Sequence, residues 1–153
     1  MTVAPRAHGR VRLGPAPGAR RTRLAGRCEA GGVLVIDAAN VIGSRPDGWW
    51  RDRPGAARRF TERVRATVDA DRLDSPVTVV VEGQARAGVE ERTALGVAVV
   101  HSPGEGDDTI AALAESLGEG TVVVTADRGL AERVRAAGAE VVGPSWLLDQ
   151  LVE

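Results

Sequence analysis

Three apolar runs of strand length in this chain each end in a carboxylate: VLVI runs into Asp37, VTVVV into Glu82, and TVVVTA into Asp127. Elsewhere the apolar period changes. Ile110, Leu113, Ala114 and Leu117 recur at i, i+3, i+4 and i+7, the spacing of one helix face. Strands alternating with helices restrict the chain to an α/β fold with a parallel sheet and helices on both faces. Strands without polar alternation agree, because such sheets are buried on both sides. In a parallel sheet the carboxyl ends of the strands share one edge, and ligands bind in the crevice there. The pattern therefore gathers acids along one edge of the molecule.

The reading places strands at 33–37, 77–82, 97–101, 121–125 and 140–142. Residues 38–53 read as a long loop with Gly43, Pro46 and Gly48. Pro54 suits the first turn of a helix that runs to about Leu73 and packs Phe60, Val64, Thr67 and Val68 on one face. Residues 83–95 are ambiguous, with a short helix as one option. A helix over 108–117 stops at Gly118, and a helix from Asp127 to Ala137 stops at Gly138. A last helix starts at Pro144, with Leu147, Leu148, Leu151 and Val152 facing inward.

A chain of 153 residues holds one domain with a proper core. Residues 1–30 stand apart. They carry seven Arg against one Glu, are rich in Gly, Pro and Ala, and lack apolar periodicity. They read as a disordered basic tail before a folded domain at 31–153. A basic arm for nucleic acid and a mis-assigned start are the other readings of this stretch. The remainder holds thirteen Arg against twenty acids, and no Lys occurs anywhere. No apolar run is long enough for a membrane span. A single cysteine, Cys28, excludes an internal disulfide framework and points to a reducing compartment, so a cytoplasmic protein is expected.

Several chemistries are excluded by the motifs. There is no CxxC or HxxxH for zinc, no GxSxG around any serine, and no GxGxxG after the first strand. Without Lys a P-loop is impossible. His101, alone at a strand end, reads as structural.

The acids then carry the argument. Clustered carboxylates repel one another unless a cation lies between them, and Mg²⁺ or Mn²⁺ prefers oxygen ligands. Asp37 tops a buried strand, and Asn40 stands three residues on. Asp107 and Asp127 each also suit a helix N-cap, a reading compatible with a ligand role. Of the adjacent pair Asp107 and Asp108, helical geometry lets one point squarely into the crevice, and Asp107 is the choice; Asp108 is left to hold a water or a second ion. Thr125 suits a hydrogen bond to the cluster. Glu82 reads either as an outer ligand or as an acceptor behind the ligands.

After Asp37 the stretch NVIGSRPDGWWRDRPGAARR interleaves Arg45, Arg51, Arg53, Arg58 and Arg59 with Trp49 and Trp50. Arg pairs with phosphates, and aromatic rings stack on unpaired bases. The other reading of the Trp pair is packing on the first long helix with solvated Arg around it.

Taken in order, VLVIDAANVIGS, VVVEG, GDDTIAALA and VVVTADRGL resemble the NYN branch of the PIN-like nuclease superfamily. The resemblance covers about residues 32–148 and is nearest to a small single-domain bacterial group. Members of that group are variously described as PIN-domain RNA-binding proteins or as NTP pyrophosphohydrolases. It implies a Rossmann-like, PIN-like three-layer fold and a metal-dependent ribonuclease centre. By motif match, Asp37, Asn40, Asp107 and Asp127 are the catalytic set. Asp37, Asp107, Asp108 and Asp127 hold the metal. Glu82, Thr125, Ser44, Arg45, Trp49, Trp50 and Arg51 support the site or bind substrate. Many relatives have Asp-Gly where this chain has Glu82-Gly83. The expected activity is hydrolysis of single-stranded RNA with Mg²⁺ or Mn²⁺, with pairing into a homodimer and no membrane partner. The alternatives are a non-catalytic RNA-binding module and a nucleoside triphosphate pyrophosphohydrolase using the same acids.

Overall fold

The structure, a computed structural model, describes residues 32–153. The tail 1–30, with Cys28, lies outside the described residues. Six strands form one sheet: β1 (Leu34–Asp37), β2 (Val77–Val81), β3 (Thr93–Ala94), β4 (Val97–His101), β5 (Val122–Val124) and β6 (Glu140–Val142). Their spatial order is β3-β4-β2-β1-β5-β6. Every pairing is parallel except β3 with β4. The chain therefore builds outward from β1 on one side, then returns to add β5 and β6 on the other. That reversal of order opens a crevice at the carboxyl ends of β1 and β5. The parallel strands are the five expected. The sixth, β3, is a two-residue antiparallel edge strand. It turns through Leu95 and Gly96 at φ 51° and 76°, and two successive positive φ values suit a two-residue hairpin.

Among the described residues five α-helices cover the two faces of the sheet. These are α1 (Ala38–Gly43), α2 (Arg53–Asp69), α3 (Gly106–Leu117), α4 (Arg128–Ala136) and α5 (Pro144–Gln150). Alternation along each strand divides the core. Leu34, Ile36, Val77, Val79, Val81, Val122 and Val124 pack against α1, α2 and α5, through Val41, Phe60, Val64 and Leu147. Val35, Val80 and Val123 point the other way, against Ile110 and Ala114 of α3 and Leu130 and Val134 of α4. The period-2 side-chain geometry of a strand thus feeds two cores, one per face. Each fully buried aliphatic side chain, such as Val64 or Ile110, contributes roughly 1.5–3 kcal/mol.

Three local features depart from the sequence reading. The supposed loop 38–53 contains α1 and a 3-10 turn at Trp49–Arg51. The helix is held by the Asp37 cap and by burial of Ala38 and Val41 in the core, and its six residues are too few for a periodic signal. The helix expected to reach Leu73 stops at Asp69, and Leu73 is buried in the core beyond it. The helix expected from 108 starts at Gly106. The ambiguous stretch resolves in part into a 3-10 helix, Gly83–Gly88. It lies against the start of α2 so closely that a Cβ on Gly88 would strike the Pro54 carbonyl. Among the described residues no helix is long and apolar enough to cross a membrane.

Candidate active site

Asp37 is the last residue of β1 and the N-cap of α1. The strand passes directly into the helix, so the carboxylate folds back and its Oδ1 accepts from the backbone N–H of Asn40 at 3.3 Å. Its Oδ2 accepts from the Thr125 hydroxyl at 3.0 Å. That hydroxyl stands just past β5, the strand beside β1. Asp37 is only 6% exposed. Burial pushes its carboxyl from the ordinary 3.8 up to about 6, against the pull of the hydrogen bonds from Thr125 and Asn40; the fields of Asp107 and Glu82 raise it further.

Thr125 and Asn40 lock the two strand ends together. The Thr125 Oγ1 also accepts from the backbone N–H of Asp127 at 3.1 Å. The Asn40 Oδ1 accepts from the backbone N–H of Ala126 at 2.7 Å. Both side chains are therefore committed to holding the β1 and β5 turns in register, rather than reaching outward. Asp127 caps α4 as the sequence suggested, its Oδ1 accepting from Leu130 N–H at 2.9 Å.

Replacing Thr125 with Val keeps the shape and removes both of these bonds. The expected result is a loss of about 1–3 kcal/mol, because a buried carboxylate loses a donor and a backbone N–H its acceptor. The Asp37 carboxyl moves higher still, since the bond that lowers it is gone. Chemical denaturation of the two proteins at neutral pH checks the first effect. A titration of the stability difference with pH checks the second.

Asp107 occupies the first turn of α3, inside the helix rather than capping it. The N-cap position is Glu105, whose side chain makes no cap bond. Glu82 supplies that contact from the neighbouring strand: its Oε2 accepts from the Gly106 N–H. Asp107 also titrates above the ordinary carboxylate range. Burial is the main cause, followed by the fields of Asp127, Glu82 and Glu105, and Arg133 opposes them. Asp37, Glu82, Asp107 and Asp127 thus form one electrostatically coupled group at the carboxyl edge of the sheet.

Asp108 stands apart from it. Its side chain is 79% exposed and pairs with Arg133 at 3.0 Å. A helix turns about 100° per residue, so neighbours on α3 cannot both face the crevice. His101 is structural: its Nε2 lies 2.6 Å from the Val89 carbonyl, and its backbone N–H donates to Glu91.

Of the residues expected to bind substrate, Ser44 turns back on its own helix, donating to the Val41 carbonyl at 2.6 Å. Gly48, at φ 86°, turns the chain into the Trp pair, a conformation that favours glycine. Trp49 and Trp50 meet edge to face, with ring centroids 5.9 Å apart. The Arg51 guanidinium lies over Trp50 at 5.9 Å and that of Arg53 over Trp49 at 5.5 Å. Trp50 is 48% exposed, whereas Trp49 is half-buried and forms a wall of two cavities. Arg45 lines one of these. Glu105 and the apolar lining of the other cavity escaped the sequence reading. Their small residues come from separate elements and leave no linear pattern.

Among the described residues, no three His, Cys, Asp or Glu side chains stand together as a ready-made metal-ligand set. The donor chemistry still suits a hard divalent cation. The carboxylates raise one another's affinity for positive charge, and among the described residues no Arg is paired with Asp37. An ion such as Mg²⁺ keeps several waters and reaches few protein oxygens directly.

No protein family and no curated protein matches the chain. Among solved structures it is similar to the crystal structure of Rae1 (YacP) from Bacillus subtilis. The identity is 21%, the TM-score 0.60, and the match covers 77% of this chain and 72% of that one. A single-substitution mutant of the same protein matches at 20% identity and TM-score 0.56 over the same shares. The chain therefore shares with Rae1 (YacP) the α/β fold whose carboxyl edge carries its coupled acids.

Proposed function

We propose that the protein is a metal-dependent ribonuclease that hydrolyses phosphodiester bonds of single-stranded RNA. The observation that carries this reading is the coupled group Asp37, Glu82, Asp107 and Asp127 at the topological switch point. The ordered motifs and the shared fold support it. A bound Mg²⁺ or Mn²⁺ would supply charge stabilisation at phosphorus and an acidified water, and Asp37, Asp107 and Asp127 would hold it.

The chain's own residues do the rest. Thr125 and Asn40 fix the carboxylate of Asp37 and the turn carrying Asp127 in one geometry, so little reorganisation accompanies binding. Glu82 tethers the first turn of α3 and so sets the position of Asp107. Arg45 and Arg51 stand on the Trp loop, where they neutralise phosphates flanking the cleaved bond.

A second reading is an RNA-binding module that does not cut. The lack of a ready-made ligand set among the described residues favours it. Incubating the pure protein with end-labelled single-stranded RNA, with Mn²⁺ or with EDTA, separates the two. Shortened products that require Mn²⁺ are the expected result. A mobility shift with intact RNA would establish the module instead.

A further inference from the structure

A cavity of about 370 Å³ lies on the α1 and α2 side of the sheet, beside the acids. It is lined by Ala38, the residue after Asp37, and by Glu82, which belongs to the acidic group. Ala39 of α1 and Ala85 of the 3-10 helix 83–88 face it from different elements, and their small side chains leave the space open. The Trp49 indole forms another wall. Its ring meets that of Trp50 edge to face and lies beneath the Arg53 guanidinium, contacts that favour one orientation before anything binds.

The charged and polar side chains along the cavity are those of Arg53, Glu82, Gln84 and Glu105, and Ile42, Ala56 and Val81 complete its apolar lining. An apolar slot, one flat aromatic wall and a few hydrogen-bonding groups match a planar heteroaromatic ring with polar edges. The volume falls in the range of ordinary small-ligand sites. Trp49 also lines a second cavity, of about 300 Å³, that carries Arg45, Arg59 and Arg63. Polyanion and planar ring thus have adjoining places.

We propose that the cavity walled by Trp49, Ala39 and Ala85 holds one unpaired nucleobase of the RNA strand, the one flanking the cleaved bond. The inference rests on the ribonuclease reading for its substrate, and it adds a base pocket to that site. A base buried there anchors the strand with its neighbouring phosphodiester over Asp37 and Asp107. A base locked in a duplex cannot enter, so the pocket selects single-stranded segments.

The test uses the full chain in EDTA, where no cleavage occurs. Fluorescein-labelled single-stranded RNA is titrated by anisotropy, and a series of oligonucleotides carries one abasic residue at successive positions. Stacking on an aromatic side chain is worth about 1–3 kcal/mol, so one abasic position is expected to weaken binding about tenfold. Ala39→Leu and Ala85→Leu fill the cavity from two sides. Each is expected to cause the same loss with intact RNA and to remove the sensitivity to that abasic position. RNA bound equally well with every base removed in turn, or not bound at all, overturns the proposal, and the scan on the unaltered protein decides this even if a filled variant misfolds. Cleavage is read separately in Mn²⁺. A clear abasic position without cleavage sinks the nuclease reading and keeps the pocket, whereas cleavage without one does the reverse.

Discussion

Asp37→Asn is expected to make the metal-free protein more stable at neutral pH while eliminating its response to divalent ions. The Asp37 carboxyl titrates near 6 in the folded chain, against an ordinary 3.8. The folded state therefore binds this proton more tightly than the unfolded chain does. Below about pH 4 both states are protonated and the group costs nothing. Between 4 and 6 the unfolded chain releases the proton first, and stability falls as pH rises. Above 6 the full penalty is present, on the order of 3 kcal/mol. Asparagine keeps the shape and the acceptor for the Asn40 N–H but carries no charge, so it escapes that penalty. A gain of about 1–3 kcal/mol at pH 7.5 is expected, or several degrees in Tm for a domain of this size. Thermal melts in EDTA from pH 4 to 8 check it: the wild-type curve falls more steeply across pH 4–6 than that of the variant, which keeps only the fall due to Asp107. Adding Mn²⁺ at pH 7.5 should raise the Tm of the wild type and leave the variant where it was. Identical pH profiles would show that Asp37 does not carry the strain.

Asp127→Asn is expected to do the opposite: almost nothing to stability and nearly everything to activity. Asp127 caps α4 through Leu130 N–H, and asparagine is about as good an N-cap as aspartate. Its backbone N–H bond to Thr125 is untouched by the substitution. The fold should stay within about 0.5 kcal/mol of wild type. The negative charge facing Asp107 is lost, however, and with it an oxygen ligand of the proposed metal. Mn²⁺-dependent cleavage should drop on the order of a hundredfold or more. Full cleavage in this variant would remove Asp127 from the catalytic set. A large fall in stability would mean that its role is the cap and the turn.

The strands were legible because Val and Ile runs, read against helical stripes such as Ile110 and Ala114, leave few choices of period. The acids at strand ends were legible for the same reason: a charge at the end of a buried run needs a partner. The short helix α1 was not, because six residues do not establish a period. Nor was the two-residue strand β3, whose pairing depends on β4 and a positive-φ turn. Helical geometry told from the sequence that one of Asp107 and Asp108 faces away from the crevice, but not which one. The sequence could not show that Glu82 would hold the start of α3, because that bond spans two elements far apart in the chain.

The order of apolar runs, by itself, determined a parallel α/β sheet and a row of carboxylates along its edge, because side-chain period and strand burial are local properties. Only the tertiary structure decided which strands became neighbours, and with that the joining of Asp37 to Thr125 and of Asn40 to Ala126. It alone decided that Asp108 turns to Arg133, and that alanines from separate elements leave a cavity beside Trp49. Contacts of this kind depend on how chain segments distant in sequence pack, and no linear spacing encodes that.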